Sequence, residues 1–354
     1  MLFFDDLGEL MSRFKLVTSL LLLVALSTIS ASSYSHHSRT NFVMNTLVEL
    51  EGTITDYSYR NPHVYLTLDV VDNSGDTIEW LLEANSVSSV RLAGWSGDLF
   101  TVGERVTVTG NPDRNESKLL LFIDAITKTD GSSYRSSGIP PGGATASTGS
   151  EAGSTDFSGV WQPDFANRDI AAGFRPVNLP FTLEGQVIRD NFSALDDPAL
   201  NGEAESIPPS LLPVFPVGFT RVGDDELHIW YEEFDGHRVI YLGMLEHPAS
   251  LEPSLMGHSI GSIEGNVLSI DTIGFEETVW GLGRGAPSSN QKHLVEKYVL
   301  SADGMSLDVE YWFEDAKYLT ERVNVTGQLL LKPGYELSAW DCDQDAAVRH
   351  NSVD

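Results

Sequence analysis

Apolar and polar residues alternate through much of the chain, which is the pattern of half-buried strands. Before residue 130 this pattern predicts strands at residues 48–59, 63–71, 77–83, 104–110 and 119–127. A short helix is expected at residues 86–93, where Gly94 would end it. Three meandering strands, a helix and two more strands are typical of a small Greek-key barrel of the OB type.

The same alternation recurs at short intervals in the second half of the chain. Strands are predicted at residues 157–161, 219–222, 226–232, 238–245, 259–263, 267–271, 293–300, 306–313 and 319–331. One helix is expected at residues 182–191, before a Pro-rich loop. Hairpins at this spacing favour a larger antiparallel β-barrel or a sandwich. The predicted fold class is therefore mainly β, with an OB-like small barrel followed by the larger domain.

A segment rich in Gly, Ser, Thr and Pro separates the two sets of strands. Such a composition is typical of a flexible linker rather than a packed element. The expected organisation is a signal peptide at residues 1–35, an OB-like domain at 36–130, a linker at 131–156, a β-rich domain at 157–345 and a tail at 346–354.

The start of the chain has the order of a secretory signal peptide. The basic stretch Met11-Ser-Arg-Phe-Lys15 precedes an apolar run at residues 16–29, and small residues follow. Residues 1–10 are acidic, so translation is expected to begin at Met11. The run is short for a membrane span. We therefore expect a periplasmic or secreted protein without a membrane span, the alternative being a retained N-terminal anchor.

The charge balance excludes one class of partner. The chain has 51 Asp and Glu against 22 Lys and Arg, for a formal net charge of -29. Such an acidic protein is not expected to bind nucleic acid or an anionic membrane surface electrostatically. The only cysteine, Cys342, excludes an internal disulfide framework and a Cys-rich zinc site.

Three motifs stand together in the first domain: His36-His37-Ser38, Asn61-Pro62-His63, and Gly94-Trp95 followed by residues 102–110. In these motifs, residues 36–131 resemble a bacterial family of exported OB-like proteins of unknown function. The resemblance implies an exported location and the barrel fold, but no reaction.

The region from Phe157 is similar to other uncharacterised exported β-rich domains. Its shared motifs are Asp196-Asp197-Pro198, residues 238–241, His247-Pro248, residues 256–261 and Glu264-Gly265. Those domains usually carry a cysteine near the position of Asn201, which this chain lacks. The resemblance thus implies that Cys342 is a free thiol, and we expect it to be buried.

His36, His37 and His63 form the first candidate site. If the signal peptide is cleaved after Ser35, the α-amine and imidazole of His36 form a bidentate chelate. A second imidazole would complete a site suited to copper, or to zinc. Alternatively, the N-terminal histidines bind nothing and His63 forms a hydrogen bond in a turn.

A histidine and carboxylate set forms the second candidate site: His247, His258, Glu264, Asp271 and His293. If these side chains project into a barrel, they are suited to acid–base work or to metal binding, because the pKa of histidine lies near neutrality. Arg238, on a neighbouring strand, is expected to pair with one of the carboxylates. The alternative is that these residues only fix turns and ion pairs, because their spacings match no compact ligand motif.

Gly257-His-Ser-Ile-Gly261 matches the Gly-x-Ser-x-Gly motif, and Ser259, Asp271 and His293 follow a hydrolase order. The motif requires a helix after the serine, whereas the following residues predict a hairpin. We therefore interpret Ser259 as structural.

Aromatic residues at alternating positions either fill a core or line a ligand cavity. They are Trp161, Trp230, Tyr231, Tyr241, Trp280, Tyr298, Tyr311 and Trp312.

The sequence favours an exported binding or accessory protein without catalysis. Its expected partners are a small apolar ligand or an envelope protein, and copper or zinc is the candidate metal at the N-terminal histidines. One alternative is an enzyme, a hydrolase or isomerase, that uses the histidine and carboxylate set. Another is a structural envelope protein.

Overall fold

The computed structural model describes residues 41–72, 74–136, 155–163, 179–193, 215–283 and 285–343, and also 197–198, 203, 206–207 and 345. His36, His37, the predicted signal peptide, most of the predicted linker and the tail lie outside the described residues. The fold is mainly β and contains two closed barrels, the smaller one first, as predicted. Among the described residues, no helix is long and apolar enough to cross a membrane.

The small barrel has the predicted order of elements. Strand β1 pairs with both β2 and β4, and a parallel pairing of β3 with β5 closes the barrel. Alternate residues of these strands are buried, as at Leu66 and Leu68, and form one apolar core. The elements are β1 (Val48–Ser58), β2 (Tyr65–Val71), β3 (Thr77–Glu83), α1 (Val87–Leu92), β4 (Arg105–Pro112) and β5 (Leu120–Lys128).

The predicted linker is wrong in its first residues. Strand β6 (Ser133–Arg135) pairs with β5. The indole nitrogen of Trp95 donates to the Arg135 carbonyl at 2.8 Å, and the Asn85 side chain donates to the Ser136 carbonyl at 2.7 Å. Strand pairing uses backbone groups, so the Gly- and Ser-rich composition did not prevent it.

The larger barrel has nine strands in the circular order β10-β11-β12-β15-β16-β17-β7-β8-β9. A separate two-stranded sheet, β13 with β14, was not predicted. The predicted helix is confirmed as α2 (Leu183–Asn191), where Thr182 caps the first turn. The strands are β7 (Gly159–Pro163), β8 (Val217–Val222), β9 (Glu226–Tyr231), β10 (His237–Tyr241), β11 (His258–Glu264), β12 (Val267–Ile273), β13 (Thr278–Gly283), β14 (Ala286–Ser288), β15 (His293–Leu300), β16 (Ser306–Glu314) and β17 (Val323–Leu331).

One pair of strands in the larger barrel is parallel, although an antiparallel domain was predicted. Ile240 of β10 is opposite Ser259 of β11 in this pair. Parallel neighbours cannot be joined by a tight turn, so the chain needs a longer connection between them. Residues 242–257 form that connection. Strand β10 therefore ends at Tyr241 rather than at Leu245, where the sequence placed its end.

The alternation of side chains along each strand divides the larger barrel into an inner and an outer face. On β10, Arg238 and Ile240 point inward and are buried, whereas His237 and Tyr241 point outward. Of the predicted aromatic set, four rings are buried in the interior and Trp280 in a separate cluster, while Trp230, Tyr241 and Trp312 are on the outer face. The four interior rings are Trp161, Tyr231, Tyr298 and Tyr311.

The segment after β17 contacts the small barrel. Its Asp341 carbonyl accepts from Asn61 N at 2.9 Å, and Asp343 N donates to the Asn61 carbonyl at 2.8 Å. The Arg91 guanidinium lies 4.1 Å from the ring centre of Tyr335. Cys342, in this segment, is a free thiol and is partly exposed rather than buried. Its partial burial raises its pKa.

Candidate functional site

Four of the five residues predicted as a histidine and carboxylate set meet on the outer face of the larger barrel. His258 begins β11, Asp271 is in β12 and His293 begins β15. His258 is opposite Ile273, and the pairing of Thr272 with Leu294 places His293 on the other side of Ile273. Asp271 is two residues before Ile273, so the strands place these side chains on one outer patch.

Hydrogen bonds join the four side chains into a chain, which we call the Asp271 relay. The two carboxylate oxygens of Asp271 accept from different imidazoles: His247 Nε2 at 2.8 Å and His293 Nε2 at 2.8 Å. His247 Nδ1 and His258 Nδ1 are 2.8 Å apart and share a second hydrogen bond. The relay consists of His258, His247, Asp271 and His293, in that order.

The crossover connection supplies His247, since this residue belongs to neither strand beside it. The connection leaves β10 at Tyr241 and returns at His258, and His247 reaches the outer face between these points. The relay therefore depends on the parallel pairing of β10 with β11, a feature that alternation along the sequence does not reveal.

The relay shifts the pKa values of its two terminal imidazoles in opposite directions. The hydrogen bond to Asp271 raises the pKa of His293 above its ordinary value, although partial burial opposes it. Burial and the neighbouring His247 lower the pKa of His258. Partial burial acts to raise the pKa of Asp271, but the hydrogen bonds from His293 and His247 outweigh it and hold that pKa below its usual range.

Aromatic rings flank both ends of the relay. The imidazole of His258 stacks on Tyr241, with ring centres 5.1 Å apart. The imidazole of His293 meets the Trp312 ring edge to face at 5.0 Å. The Asp271 and His293 side chains are 39% and 31% exposed, so solvent and small solutes reach the relay.

Two residues predicted for this set lie elsewhere. Glu264 is at the far end of β11, opposite Val267 and about 20 Å along the strand from His258. Arg238 was predicted to pair with a carboxylate of the set, and this prediction is wrong. Its position on β10 points it inward, where it binds Glu296. The set also does not project into the barrel, because its members occupy outward positions.

Ser259 is not part of a hydrolase triad. It is an inward-facing, buried residue of the β11–β12 hairpin, and its hydroxyl is 2.9 Å from the hydroxyl of Thr272. Asp271 and His293 face outward on neighbouring strands. The serine and the other two residues are therefore on opposite faces of the sheet.

No group of three or more His, Cys, Asp or Glu side chains within the described part of the chain is arranged to hold a metal ion. In the Asp271 relay, His247 directs its two nitrogens to different neighbours, so the donor atoms form a chain rather than a coordination shell. In the small barrel, His63 Nδ1 is 3.1 Å from the Ala84 carbonyl and 3.2 Å from the Glu83 carboxylate. The metal site of His36, His37 and His63 stays a prediction.

A similar chain of side chains on β9 and β10, the Glu226 relay, was not predicted. His228 Nε2 is 3.1 Å from Glu226 Oε2, and His228 Nδ1 is 3.1 Å from His237 Nε2. The His237 ring stacks on Trp230 with centres 3.7 Å apart. The spacing of Glu226 and His228 was an available signal, because residues two apart on a strand share a face.

Taken together, the fold and the site define a two-barrel β protein with hydrogen-bonded histidine chains on its outer surface. Residues 24–121 match DUF6152, a family of unknown function. The match reaches from before β1 to the first residues of β5, so it concerns the small barrel and not the Asp271 relay. No curated protein matches the chain.

Proposed function

We propose that the Asp271 relay is an acid–base site and that the protein is an enzyme, a hydrolase or isomerase, that transfers protons at this surface. One observation carries the proposal: a single carboxylate holds two imidazoles in a chain whose ends have oppositely shifted pKa values. Titratable groups whose surroundings separate their pKa values are suited to act as an acid and a base.

His258 is the proposed base. When His247 is neutral and donates from Nε2 to Asp271, its Nδ1 accepts a hydrogen bond from His258 Nδ1–H. His258, with Nδ1 protonated, then carries its free lone pair on Nε2. Stacking on Tyr241 fixes the plane of the ring, and the lowered pKa keeps this nitrogen unprotonated near neutrality.

His293 is the proposed acid. Its raised pKa favours the imidazolium form, in which Nε2–H donates to Asp271 and Nδ1 also carries a proton. Nδ1 is left to give its proton to a substrate, with Glu314 at 3.9 Å. His258 and His293 flank one strand, so their backbones are about 10 Å apart, and a small polar substrate would bind on top of the relay, between Tyr241 and Trp312.

We also propose that the protein is exported and that its small barrel has the OB fold. The basic and apolar start of the chain supports export. The parallel closure of β3 on β5, after a three-stranded meander and a helix, supports the OB assignment.

Copper or zinc binding at His36, His37 and His63 would be measured by calorimetry on the processed protein, and no heat above background would reject it.

The test combines imidazole titration with turnover. The pKa of each histidine would be measured by NMR in wild type, D271N and E226Q, where E226Q is the matched control in the Glu226 relay. We expect a raised His293 pKa in wild type and E226Q, and a lower one in D271N, because the amide carries no charge. Equal His293 and His258 pKa values in wild type would reject the proposal.

Turnover would be followed on p-nitrophenyl esters and by proton–deuterium exchange of small ketones. General acid–base catalysis contributes about 10²–10⁴-fold, so D271N is expected to lose at least about 10²-fold in rate, with E226Q within about twofold of wild type. A rate that D271N and H258Q leave unchanged would place any turnover outside the relay.

A further inference from the structure

A separate polar cluster lies inside the larger barrel. Arg238 Nη1 and Nη2 donate to the two carboxylate oxygens of Glu296 at 2.7 and 2.6 Å. The Tyr298 hydroxyl donates to Glu296 Oε1 at 2.7 Å. The Arg238 and Glu296 side chains are 1% and 0% exposed, and the apolar core of the barrel surrounds them. The charges of this pair cancel in a space that excludes solvent.

Three atoms of this cluster lack a hydrogen-bond partner among the described residues: Arg238 Nε and the hydroxyls of Tyr231 and Tyr311. Tyr311 is 3% exposed and is directly opposite Glu296 in the pairing of β15 with β16. Leaving a buried polar group unpaired costs about 1–3 kcal/mol, and such groups are few in native proteins. Three of them around the Arg238–Glu296 pair indicate that an acceptor from outside the chain binds there.

We propose that the interior of the larger barrel binds a small, uncharged, mostly apolar molecule through a carbonyl oxygen. Arg238 Nε can only donate and each of the two hydroxyls can donate, so an acceptor is the one kind of group that suits all three atoms. A carboxylate would add a second negative charge beside Glu296 without a further cation, whereas a ketone or ester adds none. An eight-stranded barrel is already wide enough to hold one small ligand, and this barrel has nine strands.

The chain offers a matched pair of variants for the test, Y311F and Y298F. Each removes one buried hydroxyl from the same cluster. The hydroxyl of Tyr298 has a partner in the protein, whereas that of Tyr311 has none. A carbonyl ligand should therefore respond to Y311F alone. This site is independent of the Asp271 relay, so D271N should bind the ligand as wild type does.

Binding of 2-octanone and of octanoate to the full-length protein would be measured by ligand-observed NMR. We expect 2-octanone to bind and octanoate to bind at least about tenfold more weakly. Loss of one neutral hydrogen bond predicts that Y311F weakens 2-octanone binding about fivefold, with Y298F within about twofold of wild type. No binding of 2-octanone, stronger binding of octanoate, or equal binding to Y311F and wild type would each overturn the proposal.

The urea midpoints measured without ligand distinguish an empty ligand site from a site that already holds a bound water. With an empty site, Y311F removes an unpaired hydroxyl, so its urea midpoint should equal or exceed that of wild type. Y298F breaks a hydrogen bond to a charged group, so its midpoint should fall. A midpoint for Y311F that falls as far as that of Y298F would show that the Tyr311 hydroxyl is already satisfied, and would overturn the proposal.

Discussion

The inner and outer faces of the larger barrel carry polar clusters that are built on the same strands. Strands β10 and β15 direct Arg238 and Glu296 inward and His237 and His293 outward. The inner charges meet at 2.6 Å away from solvent, whereas the Asp271 side chain of the outer relay is 39% exposed. Burial acts to lower the pKa of Arg238, but the charge of Glu296 and the two hydrogen bonds to it raise that pKa and hold Arg238 charged. Water, by contrast, reaches the outer imidazoles and can exchange protons with them.

The largest expected effect comes from removing one member of the inner pair. R238M leaves Glu296 buried without its cation, which should cost about 3–5 kcal/mol of unfolding free energy. D271N, on the outer face, should cost about 1 kcal/mol or less, because ion pairs that water reaches contribute little. Urea denaturation of the two variants beside wild type measures the difference.

The double variant R238M/E296L controls for lost packing. Since it removes both charges, it should recover much of the stability that R238M loses. If R238M and D271N cost the same, the contrast between the two faces would be wrong.

The second-largest expected effect is the pH dependence of the unfolding free energy, which the histidines of the outer face cause. His293 has a raised pKa, so its stabilisation is complete below the unfolded value of about 6.5 and is lost as pH rises through the folded pKa. His258 and His237 have lowered pKa values, so their contribution is lost as pH falls below about 6.5. These groups together favour maximum stability near neutrality.

Urea denaturation of wild type and D271N over a pH series measures this pH dependence of the unfolding free energy. D271N should lose the decline on the alkaline side, because His293 no longer has a carboxylate partner, and should keep the decline that His258 and His237 cause on the acidic side. An alkaline decline of the same size in both proteins would contradict the assignment to His293.

The smallest effect is expected from E226Q. The Glu226 side chain is 40% exposed and contacts only one imidazole, whereas Asp271 bridges two. Its replacement should change the unfolding free energy by about 0.5 kcal/mol or less. The NMR titrations of His258 and His293 should not move. A shift of either would show that the Glu226 and Asp271 relays act as one site.

Alternation along the sequence predicts the strands whose two faces differ most. Residues 77–83 and 293–300 were predicted with the bounds that β3 and β15 have, and in β15 every second residue is buried. Strand β13 was missed, because it contains two glycines and its last four residues are all buried, which removes the alternation. The parallel pairing of β10 with β11 was missed because it depends on where the connection crosses, not on residue type.

For the candidate site, residue types were predictable and their contacts were not. The sequence placed His247, His258, Asp271 and His293 in one set, and the structure brings them together. Glu264 shares the outward face of His258, but its distance along β11 separates it from the others. Arg238 and Ile240 are two residues apart on β10 and share its inward face, so the spacing was a signal against the predicted pairing of Arg238. The path of the crossover, and with it the contact of His247, required the tertiary structure.

The pairing that closes the larger barrel joins β7, near its start, to β17, near its end, where Trp161 is opposite Leu331. During synthesis, β7 emerges long before its partner exists, so the last edge stays open until nearly all of the chain is available. Such distant pairing slows folding, since loop closure precedes any gain from the contact. The barrel is therefore completed after translation has passed residue 331, and the open edge of β7 is exposed to aggregation in the meantime.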